Sequence, residues 1–284
     1  MATCYRHPDR ETGLSCSVCE RPICTECATF APVGIRCPEH SGKPQGIEKV
    51  TRTVRRAHYE GSGAVVTRAL IAINIIVYLI TVATGGGINS NSGTIFTHGV
   101  LFGPSVANGD YWRLLSSAFM HYGPEHLGMN MLILWFVGAP LEERLGRGRF
   151  LLLYLTAGLA GAAGAILVSP CVLTAGASGA IFGLFGAGLV LERQGISLFG
   201  SWLYVIVIIN LAFTFQPGSN ISAGGHVGGL IGGILAMLAL SRFGRTHAFY
   251  GRAGIFGYGM LITIAAASVV LAIWAANQGC SAIL

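Results

Sequence analysis

The stretch Thr174-Ala175-Gly176-Ala177-Ser178-Gly179-Ala180-Ile181-Phe182 sets one serine between glycines, where a polar loop that includes Pro170 gives way to a long apolar run. A serine at such a junction serves either as a small residue for tight helix packing or as a nucleophile. The pattern Gly-x-Ser-Gly decides little in a chain with 41 glycines. What decides is whether the rest of the sequence offers a base, an oxyanion hole and a setting for chemistry at that depth.

Composition supplies the setting. Of 284 residues, 52% are hydrophobic and 11% charged, against roughly 25% charged in a soluble domain. The glycines follow no collagen-like period, so they read as positions of close helix packing. The fold class expected is an all-α polytopic membrane protein. Residues 1–10 are polar and no apolar segment precedes residue 64. No cleavable signal peptide is expected, and the first apolar segment is expected to act as its own signal anchor. From there the apolar runs place helices near 65–84, 125–141, 149–169, 177–193, 200–215, 224–242 and 254–276, each close to the length of about 20 residues that spans a bilayer. The mixed stretch 85–124 is expected to be a partly inserted loop on one face.

The net charge of +6 matters through its placement. With the N-terminus in the cytoplasm, Arg144, Arg147, Arg149, Arg193, Arg242, Arg245 and Arg252 all fall in cytoplasmic loops, and Arg113 is the lone arginine on the other face, as the positive-inside rule requires. Residues 41–63 read as a linker carrying Lys43, Lys49, Arg52, Arg55 and Arg56. A basic run beside a span meets anionic lipid head groups, and no nucleic-acid motif accompanies it.

Residues 1–40 form a separate module. Cys4/His7, Cys16/Cys19, Cys24/Cys27 and Cys37/His40 are four pairs, each with a two-residue gap, the spacing that lets both side chains reach one tetrahedral zinc. Eight ligands fill two closed, structural sites, and metal binding would supply the folding energy that so short a segment cannot bury. A cytoplasmic, reducing location keeps the thiolates free. Cys171 and Cys280 remain, both on the extracytoplasmic side in this topology; a bridge between them and two free thiols are both open readings.

Polar residues inside membrane helices are costly and each needs a reason. His126 and Asn130 are four apart and share a helix face. Ser178 opens the fourth apolar helix and His226, in Gly224-Gly225-His226, the sixth. All four fall toward the extracytoplasmic ends of their helices and can converge at one depth. Each alone has a bland reading: interhelical hydrogen bonds, a packing serine, a satisfied histidine. Gly179 and Gly183 on one helix, with Gly225, Gly229 and Gly233 on the other, repeat at four-residue intervals and allow two backbones to approach.

These residues resemble the rhomboid family of intramembrane serine proteases over about residues 65–243. The resemblance implies a six-helix core, here the six-plus-one variant. It implies Ser178 as nucleophile, His226 as general base, His126 and Asn130 as the oxyanion-stabilising pair, and Phe182 as the ring stacked on the base, where tyrosine is frequent. Trp112-Arg113 is similar to the Trp-Arg pair of the family's first loop, and Gly138-Ala139-Pro140-Leu141-Glu142-Glu143-Arg144-Leu145-Gly146 to the stretch closing its second helix. No aspartate follows Asp110, and Glu142, Glu143 and Glu192 belong to the cytoplasmic side, so the chain is expected to use a Ser–His dyad without an orienting carboxylate. The implied substrates are transmembrane helices cut near their extracytoplasmic ends. An inactive rhomboid-like client binder and a transporter are the competing classes; the retained serine and histidine count against the first, the absence of an internal repeat or an intramembrane carboxylate against the second. The N-terminal module resembles B-box-type zinc fingers. Their cross-brace implies Cys4, His7, Cys24 and Cys27 on one ion and Cys16, Cys19, Cys37 and His40 on the other, with a cytosolic protein as a partner the module would suit. The expected organisation is a module at 1–40, a linker at 41–63, a core at 64–243 and an added helix at 254–277.

Overall fold

The computed structural model describes residues 2–30, 34–41, 63–85, 88, 93–241 and 255–280. The expected basic linker and the arginines at 242, 245 and 252 lie outside the described residues. The chain divides into two units, Met1–Gly61 and Ser62–Leu284.

In the first unit, β1 (Ala2–Thr3) pairs antiparallel with β2 (Glu11–Thr12), and β3 (Thr29–Phe30) with β4 (Ile35–Arg36). Its interior is Cys4, Cys16, Cys24, Cys27, Cys37 and one aliphatic side chain, Ile23. Burying one isoleucine contributes about 1.5–3 kcal/mol, while fixing each residue's backbone costs about 1–2 kcal/mol. Apolar burial alone does not hold this unit together.

The second unit is helical. Helix α1 (Val65–Gly85) starts where a distant carboxylate caps it: Glu142 accepts from the Val66 and Thr67 amides at 2.8 and 2.7 Å and from the Thr67 hydroxyl at 2.8 Å. The stretch expected as a loop instead forms short helices: α2 (Thr94–Gly99), α3 (Gly103–Ala107), α4 (Arg113–Ser116) and a 3₁₀ turn (Ser117–Phe119). Arg113 organises them, since its buried guanidinium donates to the carbonyls of Thr97 and Val100 at 2.7 and 2.8 Å and pairs with Asp110 at 2.9 Å. Trp112 Nε1 donates to His98 O, and Ser116 Oγ to Gly99 O. Once their polar groups are paired locally in this way, such pieces can sit against an apolar body.

Helix α5 (Pro124–Ile133) runs through a π turn (Leu134–Gly138) into α6 (Ala139–Leu145), so the one helix expected over 125–141 is longer and irregular. Pro140 has no N–H for the carbonyl of Phe136, and the ladder widens just before it. There follow α7 (Arg147–Val168), α8 (Ser178–Arg193), α9 (Trp202–Thr214), α10 (Ala223–Leu240) and α11 (Ile255–Asn277).

Among the described helices, four are long and apolar enough to cross a membrane: α1, α7, α10 and, over Phe256–Asn277, α11. Helices α8 and α9, of 16 and 13 residues, extend about 24 and 20 Å, short of the roughly 30 Å hydrocarbon core. Helix α10 is the centre of the body. Its Gly224, Gly228 and Gly232 face α7, where a Cβ on any of them would meet Gly164 or Ala160. Its Gly229 and Gly233 face α8, where a Cβ would meet the backbone of Gly179 or Gly183. The α8 seam was expected from the glycine spacing; the second seam, to α7 along Gly224, Gly228 and Gly232, keeps the same four-residue interval and was not expected. Helix α11 packs on α7 through Ala272, Ala275 and Ala276 against Ala162, Ala163 and Ile166. A Cys171–Cys280 disulfide, with Cα atoms 5.4 Å apart, ties the segment after α11 to the loop before α8.

Candidate active site and metal centres

Ser178 is the first residue of α8, and the ladder of that helix begins with the Ile181 amide on the Ala177 carbonyl. The amides of the first turn therefore point out of the helix end without intrahelical acceptors, a ready site for negative charge. The preceding loop is fixed from outside: Leu101 and Thr174 exchange backbone hydrogen bonds at 2.9 Å, the Gly176 amide donates to Ser117 O at 2.9 Å, and the Tyr122 hydroxyl donates to Leu173 O. Among the described residues the Ser178 hydroxyl has no hydrogen-bond partner, and none joins it to His226. Catalytic hydrogen bonds are often long before substrate arrives.

His226 lies in the first turn of α10, which Ser222 caps by accepting from the Gly225 amide at 3.1 Å. The ring is 8% exposed and stacks on Phe182, with centroids 3.9 Å apart and planes 18° from parallel. Phe185 braces Phe182 edge-on at 5.4 Å. The approach of α8 to α10 at Gly179/Gly229 and Gly183/Gly233 brings these faces together. No carboxylate bonds the histidine among the described residues; Glu125, the acid nearest in sequence to His126, is exposed in the first turn of α5. The nitrogen Nδ1 of His226 lies 2.7 Å from the hydroxyl of Thr214, at the end of α9, a partner that nothing in the sequence singles out.

His126 and Asn130, on α5, flank the serine loop from the other side. A Cβ on Gly176 would lie 2.7 Å from the His126 ring and 3.5 Å from Asn130 Nδ2, and its φ of +123° also belongs to glycine. Gly176 therefore opens the loop toward these two side chains, whereas Gly179 serves the helix seam. The His126 ring packs parallel to Tyr122, with centroids 6.0 Å apart, and tilted to His121 at 5.0 Å. Asn130 Nδ2 and both ring nitrogens of His121 are buried without a hydrogen-bond partner among the described residues. Buried polar groups are nearly always bonded, so this corner is suited to water or to a ligand oxygen. Tyr122 and His121 carry no motif and were not legible beforehand.

In the N-terminal unit, eight side chains gather in two groups of four, Cys4/His7/Cys24/Cys27 and Cys16/Cys19/Cys37/His40, with all candidate ligand atoms in a group within 4.8 Å of one another. Tetrahedral zinc with bonds of about 2.0–2.3 Å sets ligand separations of about 3.5–3.8 Å. The distances scatter about these values: His7 Nδ1 lies 3.9, 3.4 and 3.4 Å from the sulfurs of Cys4, Cys24 and Cys27, Cys19 Sγ lies 3.7 Å from Cys37 Sγ, and His40 Nδ1 lies 3.8 and 3.1 Å from the sulfurs of Cys16 and Cys37. Burial pushes the Cys4 thiol up, but amide hydrogen bonds from Cys24, Arg6 and His7 outweigh it and bring it down to about 6. For Cys16, burial is likewise overcome by the amides of Cys37, Cys19 and Val18, again reaching about 6. Amide donors aimed at sulfur are the second shell of a thiolate–metal site. Two Cys/His clusters able to hold metal ions are thus present.

A body of apolar helices with a serine at one helix mouth, a stacked histidine beside it and unpaired polar groups around the opening defines a multi-pass membrane protein with a polar site inside its helical body. A Rhomboid domain model matches residues 108–243. Rhomboid protease GluP of Bacillus subtilis (strain 168) is 38% identical over 217 residues, covering 75% of this chain and 40% of that protein. A second protein of that strain, named "Putative rhomboid protease YdcA", is 39% identical over 134 residues, covering 46% of this chain and 67% of the relative. RHOMBOID-like protein 4 of Arabidopsis thaliana is 38% identical over 155 residues, 50% of this chain and 37% of that protein. The chain belongs to the rhomboid family. It spans less than half the length of GluP.

Proposed function

We propose that this protein is an intramembrane serine endopeptidase that cuts transmembrane helices of other membrane proteins near their extracytoplasmic ends, through a dyad of Ser178 and His226. The observation that carries the reading is the stacked Phe182–His226 pair at 3.9 Å, held where the α8 mouth presents Ser178. His226 takes the serine proton as Ser178 attacks the peptide carbonyl, then returns it to the leaving amine. The ring of Phe182 orients the base in place of the carboxylate used by soluble serine proteases. The Ser178 amide, His126 and Asn130 receive the oxyanion. Water reaches the acyl-enzyme through the polar corner at His121 and Asn130, whose buried nitrogens lack partners among the described residues.

The same reading places seven spans in the bilayer, with the N-terminal unit in the cytoplasm and the segment after α11 outside, where the Cys171–Cys280 disulfide is chemically at home. It assigns the two Cys/His clusters to structural zinc, which supplies folding energy there and takes no part in catalysis. The zinc module is suited to a cytosolic protein partner and the basic residues 41–63 to anionic lipid; no nucleic acid is involved.

The test is a reporter membrane helix and a fluorophosphonate label on the purified protein. Ser178→Ala is expected to abolish labelling, and Ser178→Ala or His226→Ala to lower cleavage by about 10⁴–10⁶. Labelling that persists in Ser178→Ala sinks the nucleophile assignment. A wild-type protein that binds the reporter without cutting it points instead to an inactive client-binding member of the family.

A further inference from the structure

We propose that Thr214 is the positioning residue of the base: its hydroxyl accepts the Nδ1 proton of His226 and thereby presents Nε2 as the proton acceptor toward Ser178. The inference rests on the Ser178–His226 reading. It begins with the direction of one hydrogen bond. The Thr214 hydroxyl donates to the carbonyl of Asn210, one turn back in α9, at 2.7 Å. Its only proton is thereby committed, and the oxygen turns a lone pair toward His226 Nδ1, 2.7 Å away. A neutral imidazole carries one N–H, and the partner of one nitrogen fixes the tautomer. Facing an acceptor, Nδ1 holds the proton and Nε2 is free.

The contact is built to be exclusive. Thr214 is 3% exposed and His226 8% exposed, so water does not compete for Nδ1. The Ser219 hydroxyl donates to Thr214 O at 2.9 Å, which closes the turn after α9 and fixes the residue's backbone. Three elements therefore hold one ring: α10 carries it, α8 covers its face through Phe182, and α9 grips its edge through Thr214. Stacking on Phe182 sets the ring plane but cannot choose between two orientations flipped within that plane. The edge contact makes that choice, which in soluble serine proteases falls to an aspartate. A neutral hydroxyl does the orienting without placing a charge inside the membrane, where one would be costly.

The experiment compares wild type with Thr214→Val, Thr214→Ser, His226→Ala and the Thr214→Val/His226→Ala double variant. Readouts are fluorophosphonate labelling rate, reporter kcat and KM, and thermal midpoint. Thr214→Val keeps the shape and removes the acceptor. It is expected to slow labelling and kcat about tenfold, the size of one hydrogen bond, with KM and thermal midpoint unchanged. Thr214→Ser is expected to restore the rate, and Thr214→Val to have no effect in the His226→Ala background. A Thr214→Val protein at wild-type rate, with His226→Ala inactive, overturns the Thr214 assignment and leaves the dyad standing; a fully active His226→Ala protein overturns the dyad itself. Equal slowing by Ser and Val assigns Thr214 to packing and overturns the proposal. If Thr214→Val does not fold, ¹⁵N-histidine spectra of the wild type, with His226 identified by its loss in His226→Ala, decide: protonated Nδ1 supports the proposal and protonated Nε2 overturns it.

Discussion

The two units of this chain solve the stability problem in opposite ways. The N-terminal unit has a core of five cysteines and one isoleucine and, on the proposed reading, gains atoms from outside at the two points where four candidate ligands gather. The membrane body needs atoms withheld: α10 is wedged between α7 and α8 because glycines on it and on its neighbours carry no side chain. Lipid offers no hydrophobic gain for pressing two helices together, so contact distance decides. A small polar unit in water cannot use that route, and a helical body in lipid does not need the metal.

The largest expected effect separates the two units. A strong chelator is expected to release two zinc equivalents and unfold residues 2–41, with a loss of about 10–16 kcal/mol per structural site, while the helical thermal transition of the body stays in place. Amide exchange read unit by unit checks this, and a body that melts along with the module breaks the contrast.

Next in size is Gly233→Ala on α10. The added Cβ would fall on the backbone of Gly183, which cannot rotate away as a side chain could. Overpacking of this kind costs about 3 kcal/mol or more, whereas Ile231→Ala, on the exposed face of the same helix, is expected to change stability by about 0.5 kcal/mol or less. Thermal midpoints of the two variants sharpen the claim that the body depends on absence rather than on bulk. Two equal shifts would refute it.

The smallest effect concerns a place where the body leans on a side-chain carboxylate. Glu142→Ala removes the acceptor for three donors at the start of α1 and is expected to cost about 2 kcal/mol. Faster exchange at the Val66 and Thr67 amides, with α8 and α10 unaffected, would localise the loss.

Features that repeat along the chain were legible in the sequence. Apolar runs marked where the longer helices lie, to within a few residues at most ends, since hydropathy and spacing are local properties. The paired Cys/His gaps marked the eight ligands, whose division into two groups came from the resemblance to B-box-type zinc fingers, and the flanking glycines marked Ser178 and His226. What escaped depends on how elements meet. Thr214 is an ordinary residue at the end of an apolar helix until α9 and α10 are placed side by side. Arg113 turns a mixed stretch into short helices by bonding carbonyls 13 and 16 residues away, a pattern with no sequence period. The seam between α10 and α7 escaped although Gly224, Gly228 and Gly232 keep the same four-residue interval against Ala160 and Gly164; spacing marks a helix face as small without saying which neighbour it meets.

The glycine seam also determines which substitutions the gene for this protein can tolerate. A methyl group gained at Gly229 or Gly233 would shift α10 against α8, and with it the ring of His226, without touching either residue of the proposed dyad. The geometry required by the proposed reaction therefore depends on positions along two helices that no chemical probe of Ser178 would label. The outward faces of those helices remain free to vary with the lipid around them.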